Sequence, residues 1–445
     1  MQEISNISEP NDIAGFDKGS FSIDEKVDDS IKDMKEKGLG KSFFVLWQGQ
    51  LVSMLGDVIY SIALGFWVLA VTGSTGLMGT LMAASTLPGV LVSPVAGVLV
   101  DRYDRRKLMI IMDVLRGISI TAVGIAAYTG VLAVWMVFAA GMLMSICGAF
   151  FTPAVNSAVP DIVPKSKITS ANSLLQMVFP ASNIIGNAVG GFIYKALGAS
   201  IMFLFNGLSF LFSGTSILFT KVPKINQPEE KKHFITDMKE GFSFVWKFKG
   251  LKYALLMTSV VNFFAFIAIT LLIPLFERSP ELGSGLYGVA MACFTGGTLL
   301  GFIFASIIKI PAHKRTRIFF VSCAIFCIGA VIFSSLKIVL VMLILLPVSG
   351  FFNAIVNVLL MSSVQLTVPQ NMRGKVFSLM GMVTQGLTPF AMALGGILAE
   401  FIPIRIIMAL SFLIVFIVFM PFAFVKSFSR FINFDPDKEK LEDIL

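Results

Sequence analysis

One carboxylate in this chain stands well away from every other charge. Asp57 lies near the middle of an apolar run from 43 to 71, in the series Gln50, Ser53, Asp57, Tyr60 and Ser61. Spacings of three and four put those side chains on one face of a helix. An ionisable group in such apolar surroundings is costly and marks a functional site by default. A carboxyl in a low-dielectric cavity can take up and release a proton near neutral pH, or hold a cationic substrate. Asp57, with Gln50 and Tyr60 on its face, is therefore the candidate proton-coupling and substrate site. The competing readings are a structural acid hydrogen-bonded to a neighbouring helix and an acid close enough to the outer surface to be wet.

A second charged group sits in a short link. Gly97-Val98-Leu99-Val100-Asp101-Arg102-Tyr103-Asp104-Arg105-Arg106 ends one apolar run, and the next begins at Leu108. Asp113 and Arg116 follow one helical turn apart, so the whole set reads as a local ion-pair network. Desolvated in one conformation and released in another, such a network would act as a latch.

The elements that carry these residues are membrane-spanning. Of 445 residues, 56% are hydrophobic and 14% charged, against about a quarter charged in soluble domains. Apolar runs fall at 43–71, 77–100, 107–129, 132–157, 168–195, 200–220, 251–276, 284–308, 317–335, 339–366, 374–399 and 402–425, twelve in all. Each is long enough to cross a hydrocarbon core of about 30 Å as a helix. They lack the alternation of barrel strands, and unpaired backbone cannot face lipid. The expected fold is an all-α membrane protein of twelve transmembrane helices in two pseudo-symmetric six-helix bundles, 43–221 and 251–425. A link at 222–250 joins them, and tails occupy 1–42 and 426–445.

The net charge of +8 does not indicate nucleic acid, because the basic residues are confined to alternate links. Arg102, Arg105, Arg106 and Lys107 occupy one; Lys165 and Lys167, Lys309 to Arg317, and Arg373 with Lys375 occupy others. The intervening links, such as Thr72–Gly76, are nearly uncharged. The positive-inside rule then puts both termini in the cytoplasm, as an even number of spans requires. Glu277 with Arg278, and Glu400 with Arg405, read as solvated ends of spans on the opposite side.

The two halves share a register. Ser173-Leu174-Leu175-Gln176-Met177-Val178 corresponds to Ser378-Leu379-Met380-Gly381-Met382-Val383 at an offset of 205, and Gly190-Gly191 to Gly395-Gly396 at the same offset. Internal duplication of a six-span unit is a transporter signature, in which paired bundles rock about a central site. Gly186, Gly190 and Gly191 form a small-residue face suited to close helix contact. Cys323 and Cys327, one turn apart, read as small core residues. The amides Asn156, Gln176, Asn183, Asn187, Asn262, Asn353, Asn357 and Gln385 either line a cavity or bond between helices.

Outside the spans, Ser22 and Glu25 form a capping box before Ile23, Val27, Ile31 and Met34, which predicts a short helix in an otherwise disordered tail. Ile235, Met238, Phe242, Val245 and Trp246 share one face of the central link, an amphipathic helix expected to lie on the inner leaflet and tether the halves.

Taken together, these residues resemble the major facilitator superfamily from 43 to 425. Gly97-x-x-x-Asp101-Arg102-x-x-Arg105-Arg106 is similar to its motif A, with Asp104 where many members have glycine. Gly186-Asn187-Ala188-Val189-Gly190-Gly191 resembles the antiporter motif C, with Asn187 in place of proline. Gly56-Asp57, Thr72-Gly73-Ser74, Asp113-Val114-Leu115-Arg116, Val163-Pro164 and Lys239-Glu240-Gly241-Phe242-Ser243-Phe244-Val245 resemble the macrolide-efflux branch, the drug:proton antiporter-3 type that includes siderophore exporters. The resemblance implies a cytoplasmic gate, with Asp101 near a helix N-terminus of the opposite half and the arginines pairing acids such as Asp113.

The function expected is proton-coupled efflux of a hydrophobic or amphipathic, drug-like small molecule by alternating access, in a bacterial plasma membrane. Richness in Phe (43) and Met (23) suits bulky apolar substrates. The partners expected are the bilayer, the substrate and protons. No cofactor, metal or nucleic acid is expected, and the protein is expected to be a monomer. A lipid, lysophospholipid or siderophore transporter, or a uniporter without proton coupling, is the alternative. A polytopic enzyme is distant, because the only histidines, His233 and His313, lie in links and no hydrolase or metalloenzyme pattern occurs.

Overall fold

Every regular element among the described residues is helical, as it must be where no water can satisfy exposed backbone groups. The computed structural model describes residues 39–100, 103–164, 167–220, 222, 234–308, 310–436 and 438–439. The capping-box helix of the N-terminal tail, and Asp101 and Arg102 of the basic link, lie outside them.

The first half contains α1 (Lys41–Thr72), α2 (Thr75–Ala84), α3 (Leu87–Val100), α4 (Arg105–Tyr128), α5 (Val134–Ile162) and α6 (Ile168–Ile217). After α7 (Phe234–Lys247) come α8 (Lys249–Thr270), α9 (Leu272–Arg278), α10 (Gly283–Ile307), α11 (Ala312–Ser335), α12 (Val339–Thr367), α13 (Gln370–Gly386), α14 (Thr388–Phe401), α15 (Ile404–Phe419) and α16 (Lys426–Asn433). Eleven stretches among the described residues are long and apolar enough to cross a membrane. Three of the runs expected to be single helices are broken. The α2–α3, α8–α9 and α13–α14 breaks each precede a proline, Pro88, Pro274 and Pro389, in the first turn of the following helix. Proline has no N–H to continue the preceding helix and its fixed φ suits a new first turn.

The two runs 168–195 and 200–220 form the two helical arms of α6, and the chain reverses between them at Gly198. Gly198 has φ 73° and ψ 175°, a conformation that only glycine adopts cheaply. Before it, Gly186 packs on Val58 and Gly190 on Ile62, in parallel with α1. After it, Asn206 meets Gly56 and Ser213 meets Gly49, antiparallel to the same helix.

The short links therefore fall at two ends of the molecule. The basic end carries 103–104, 163–164 and 368–369; the far end carries 73–74, 198, 279–282 and 402–403. At the far end one apolar core crosses between the halves, including Ile62, Phe66, Phe203, Ile267, Leu271 and Tyr287. At the basic end the core divides in two. Phe43, Met109, Phe151 and Val155 form one cluster in the first half, and Phe319, Leu359, Phe428 and Phe431 form another in the second. Gly97 on α3 and Gly381 on α13, toward the basic end, both have open space where a Cβ would sit.

Two peripheral pieces pack on the second half. α7 docks on the second half, with Val245 fully buried and Glu240 paired to Lys375 of α13. Phe242 and Trp246 stay half-exposed and stack on each other at 5.1 Å. The segment following residue 425 is no loose tail: α16 buries Phe428, Phe431 and Ile432 completely, with Phe431 against Gly250.

Candidate functional site

Asp57 lies midway along α1, where the second arm of α6 runs closest. A Cβ on Gly56 would come within 2.5 Å of Asn206 Oδ1 and Ser209 Oγ, so glycine is what lets the two helices approach here. Across this contact Asn206 Nδ2 donates to Asp57 Oδ1 at 3.3 Å. Asn206 is fully buried and belongs to a stripe with Ser209, Ser213 and Ser216, all buried. That stripe, at spacings of three and four on the 200–220 run, was legible in the sequence and went unread.

The polar face expected on α1 is only partly interior. Ser53 and Tyr60 are buried, Gln50 and Asp57 are intermediate, and Ser61 is exposed. Tyr60 lies against Phe203 at 5.4 Å, and its hydroxyl has no hydrogen-bond partner among the described residues.

Asp113 and Arg116 form an ion pair, but deep rather than at the basic end. Asp113 is fully buried and Arg116 is 7% exposed. The guanidinium is sandwiched between the rings of Phe151 and Phe210, at 4.4 and 4.3 Å from their centroids. Such stacking suits the planar, weakly hydrated guanidinium. Asp113 Cβ lies beside Gly214, and Arg116 Nε is buried without a hydrogen-bond partner among the described residues. The half-buried Asp57 and the buried Asp113–Arg116 pair, both packed on the second arm of α6, are two acids and one base and carry one negative charge when all are ionised.

Of the link arginines expected to pair acids such as Asp113, Arg102 lies outside the described residues, and the other two meet other partners. Arg105 instead reaches Asp161 at 2.6 Å and the Ser157 carbonyl at 2.8 Å. Arg106 donates to the carbonyls of Ile217 and Leu218 at the end of α6, where a cation also complements the helix dipole. Asp113 lies eight residues into α4, too far along the helix for those side chains, and Arg116 satisfies it.

Of the amides expected either to line a cavity or to bond between helices, four bond within their own helix. Asn183, Asn187, Asn262 and Asn357 each donate to the carbonyl four residues earlier. Asn206, outside that set, does reach another helix.

The glycines of 186–191 divide between two neighbours. Gly186 and Gly190 face α1, whereas Gly191 faces Ser284 O and Gly288 N of α10, across the halves. Asn187 stays within its helix, bonding to Asn183. The counterpart of Gly191, Gly396, sits equivalently over Thr75 O and Gly79 of α2. Thr75 to Gly79 and Ser284 to Gly288 have the same spacing, so the duplicated glycines close two matching crossings at the far end. Beside them Glu400 and Arg278, expected to be solvated ends, bond to the 73–76 turn of the other half.

A family model described as Major Facilitator Superfamily matches residues 46–391. The chain is 28% identical over 373 residues to macrolide efflux protein A of Streptococcus pyogenes, covering 80% of this chain and 89% of that protein. It is 29% identical over 335 residues to macrolide efflux protein A of Enterococcus faecalis, covering 71% and 100%. In fold it is similar to a bacterial homologue of the human lysosomal transporter Spinster, solved inward-facing and unoccupied. That match has a TM-score of 0.64 at 12% identity and covers 89% of this chain and 97% of the other.

Proposed function

The chain belongs to the major facilitator superfamily, and on that premise we propose that it exports a hydrophobic or amphipathic, macrolide-like molecule in exchange for protons. It is a multi-span membrane transporter rather than an enzyme, and its relatives are bacterial efflux proteins. The observation that carries the proton-coupled reading is the half-buried Asp57 on the same arm of α6 as the buried Asp113–Arg116 pair. Their excess negative charge, in an apolar bundle, is neutralised by one proton or by a cationic substrate, and desolvation favours that neutral state. Asp57 is the group to take the proton, since Asp113 already has Arg116 as its counter-ion.

In this reading the two arms of α6 cross the membrane separately, giving twelve spans with both termini and the basic end in the cytoplasm. The divided core at that end and the shared core at the far end describe an inward-open state. The segment from Gly97 to Arg106, including Asp101 and Arg102, acts as the cytoplasmic latch when the halves close there. The working unit is the monomer, since each half supplies the other's partner surface.

The test is a proteoliposome assay with an imposed pH gradient and a panel of macrolides and other amphipathic compounds. The parent should move at least one of them with the gradient, and Asp57→Asn should not. Equal transport by Asp57→Asn with an unchanged pH dependence would remove Asp57 from the mechanism. Transport by the parent that ignores the gradient would make the protein a uniporter.

A further inference from the structure

Two charged side chains of the second half grip a single turn of the first, at the far end and well away from Asp57. Glu400, near the end of α14, accepts three hydrogen bonds through Oε1: from Ser74 Oγ at 2.7 Å, Thr75 Oγ1 at 3.1 Å and the Gly76 N–H at 2.8 Å. These groups begin α2. Ser74 is its N-cap and accepts from the Leu77 N–H with its own hydroxyl, so Glu400 completes the cap from outside. On the other side of the turn, Arg278 at the end of α9 donates to the Gly73 carbonyl at 2.6 Å. Gly73 is the left-handed C-cap of α1.

The charges match the helix ends they meet. A carboxylate sits on the N-terminus of α2 and a guanidinium on the C-terminus of α1, each the sign the helix dipole favours. Both contacts cross between the halves, and both flank the crossing where Gly79 lies against Gly396. Arg405 of the same end is engaged elsewhere, on the Ser334 and Leu336 carbonyls of its own half. Glu400 and Arg278 are exposed residues. Breaking their contacts strands no buried charge, unlike the Asp113–Arg116 pair. That is the property required of a contact made and broken in every cycle.

We propose that Glu400 and Arg278 are gating residues that hold the far end shut on the 73–76 turn, and that the far end opens only when both let go. The proposal rests on the alternating-access reading above. It assigns transport roles to two residues outside every motif identified in the sequence.

The experiment places spin labels at Tyr128 and Ile338, exposed far-end positions in the first and second halves, in a version with the four native cysteines replaced. Distances are recorded by pulsed electron paramagnetic resonance in lipid nanodiscs, without substrate or pH gradient. Glu400→Gln keeps the shape and removes the charge; Arg278→Gln removes the charge and shortens the side chain at the other contact. Each should raise the ratio of far-end-open to far-end-closed molecules about three- to thirtyfold. Glu277→Gln, an acid of the same end, should match the parent. Distance distributions in Glu400→Gln and Arg278→Gln that coincide with parent and Glu277→Gln would overturn the proposal, and two independent variants guard against one misfolding. Shifted distances in a protein that shows no proton-driven export would sink the Asp57 reading and leave the gate standing. Normal proton-driven export with unshifted distances would do the reverse.

Discussion

Replacing Gly79 by alanine tests the far-end seam most directly. A Cβ at this position would sit 2.5 Å from Met392 O and 2.8 Å from Gly396 Cα, where apolar carbon contacts settle at about 3.5–4.0 Å. The obstructing atoms are backbone, so no rotamer change relieves them and α2 and α14 must separate by roughly 1 Å. Overpacking of this kind costs about 1–3 kcal/mol. The cost falls only on the state in which the seam is closed. The higher helix propensity of alanine over glycine favours both states alike and cancels. A population shift toward the far-end-open state of about five- to 150-fold follows, at about 1.4 kcal/mol per tenfold. Single-molecule fluorescence transfer between dyes at Tyr128 and Ile338 reads that shift, and export assays should slow as the inward-open state becomes rare. Gly148→Ala, with open space around its Cβ and outside the proposed latch and seam, is the matched control. A Gly79→Ala protein with parental distances and parental export would show that the seam does not control the far end.

Other perturbations follow from the same contacts. Arg116→Met removes the counter-ion of a fully buried Asp113 and should destabilise the protein by roughly 3–5 kcal/mol, read as a lowered melting temperature in detergent; Asp113→Leu in the same chain should recover most of the loss. Phe431→Ala empties a fully buried site against Gly250 and should cost about 3–5 kcal/mol in thermal unfolding, whereas Phe424→Ala, at an 88% exposed position, should be near neutral. Trp246, half-exposed and stacked on Phe242, should lie in the headgroup region. Its fluorescence, isolated by comparison with Trp246→Phe, should then be quenched by brominated lipids, and indifference to them would place α7 away from the bilayer.

Much of this molecule was legible one residue at a time. Hydrocarbon cannot hydrogen-bond, so long apolar runs are helices whatever surrounds them, and even the Gly198 reversal was visible as a gap between two runs. Asp57 stood out because its cost of burial is independent of its partner's identity. The breaks at Pro88, Pro274 and Pro389 were readable in principle from proline's missing donor, yet apolar composition alone joined those segments.

What the linear order left open were pairings between residues distant along the chain. Nothing near Glu400 in sequence distinguishes a solvated helix end from a carboxylate that caps α2, because the donors lie 324 to 326 residues away. Asp113 and Arg116 are adjacent on one helix in either account; burial between Phe151 and Phe210 is what separates a deep counter-ion pair from part of a surface latch. The spans themselves follow from local hydrophobicity, a property each segment carries alone. Which charges meet, and at which end the halves touch, depends on how twelve apolar runs are arranged about one another, and only the packed structure holds that information.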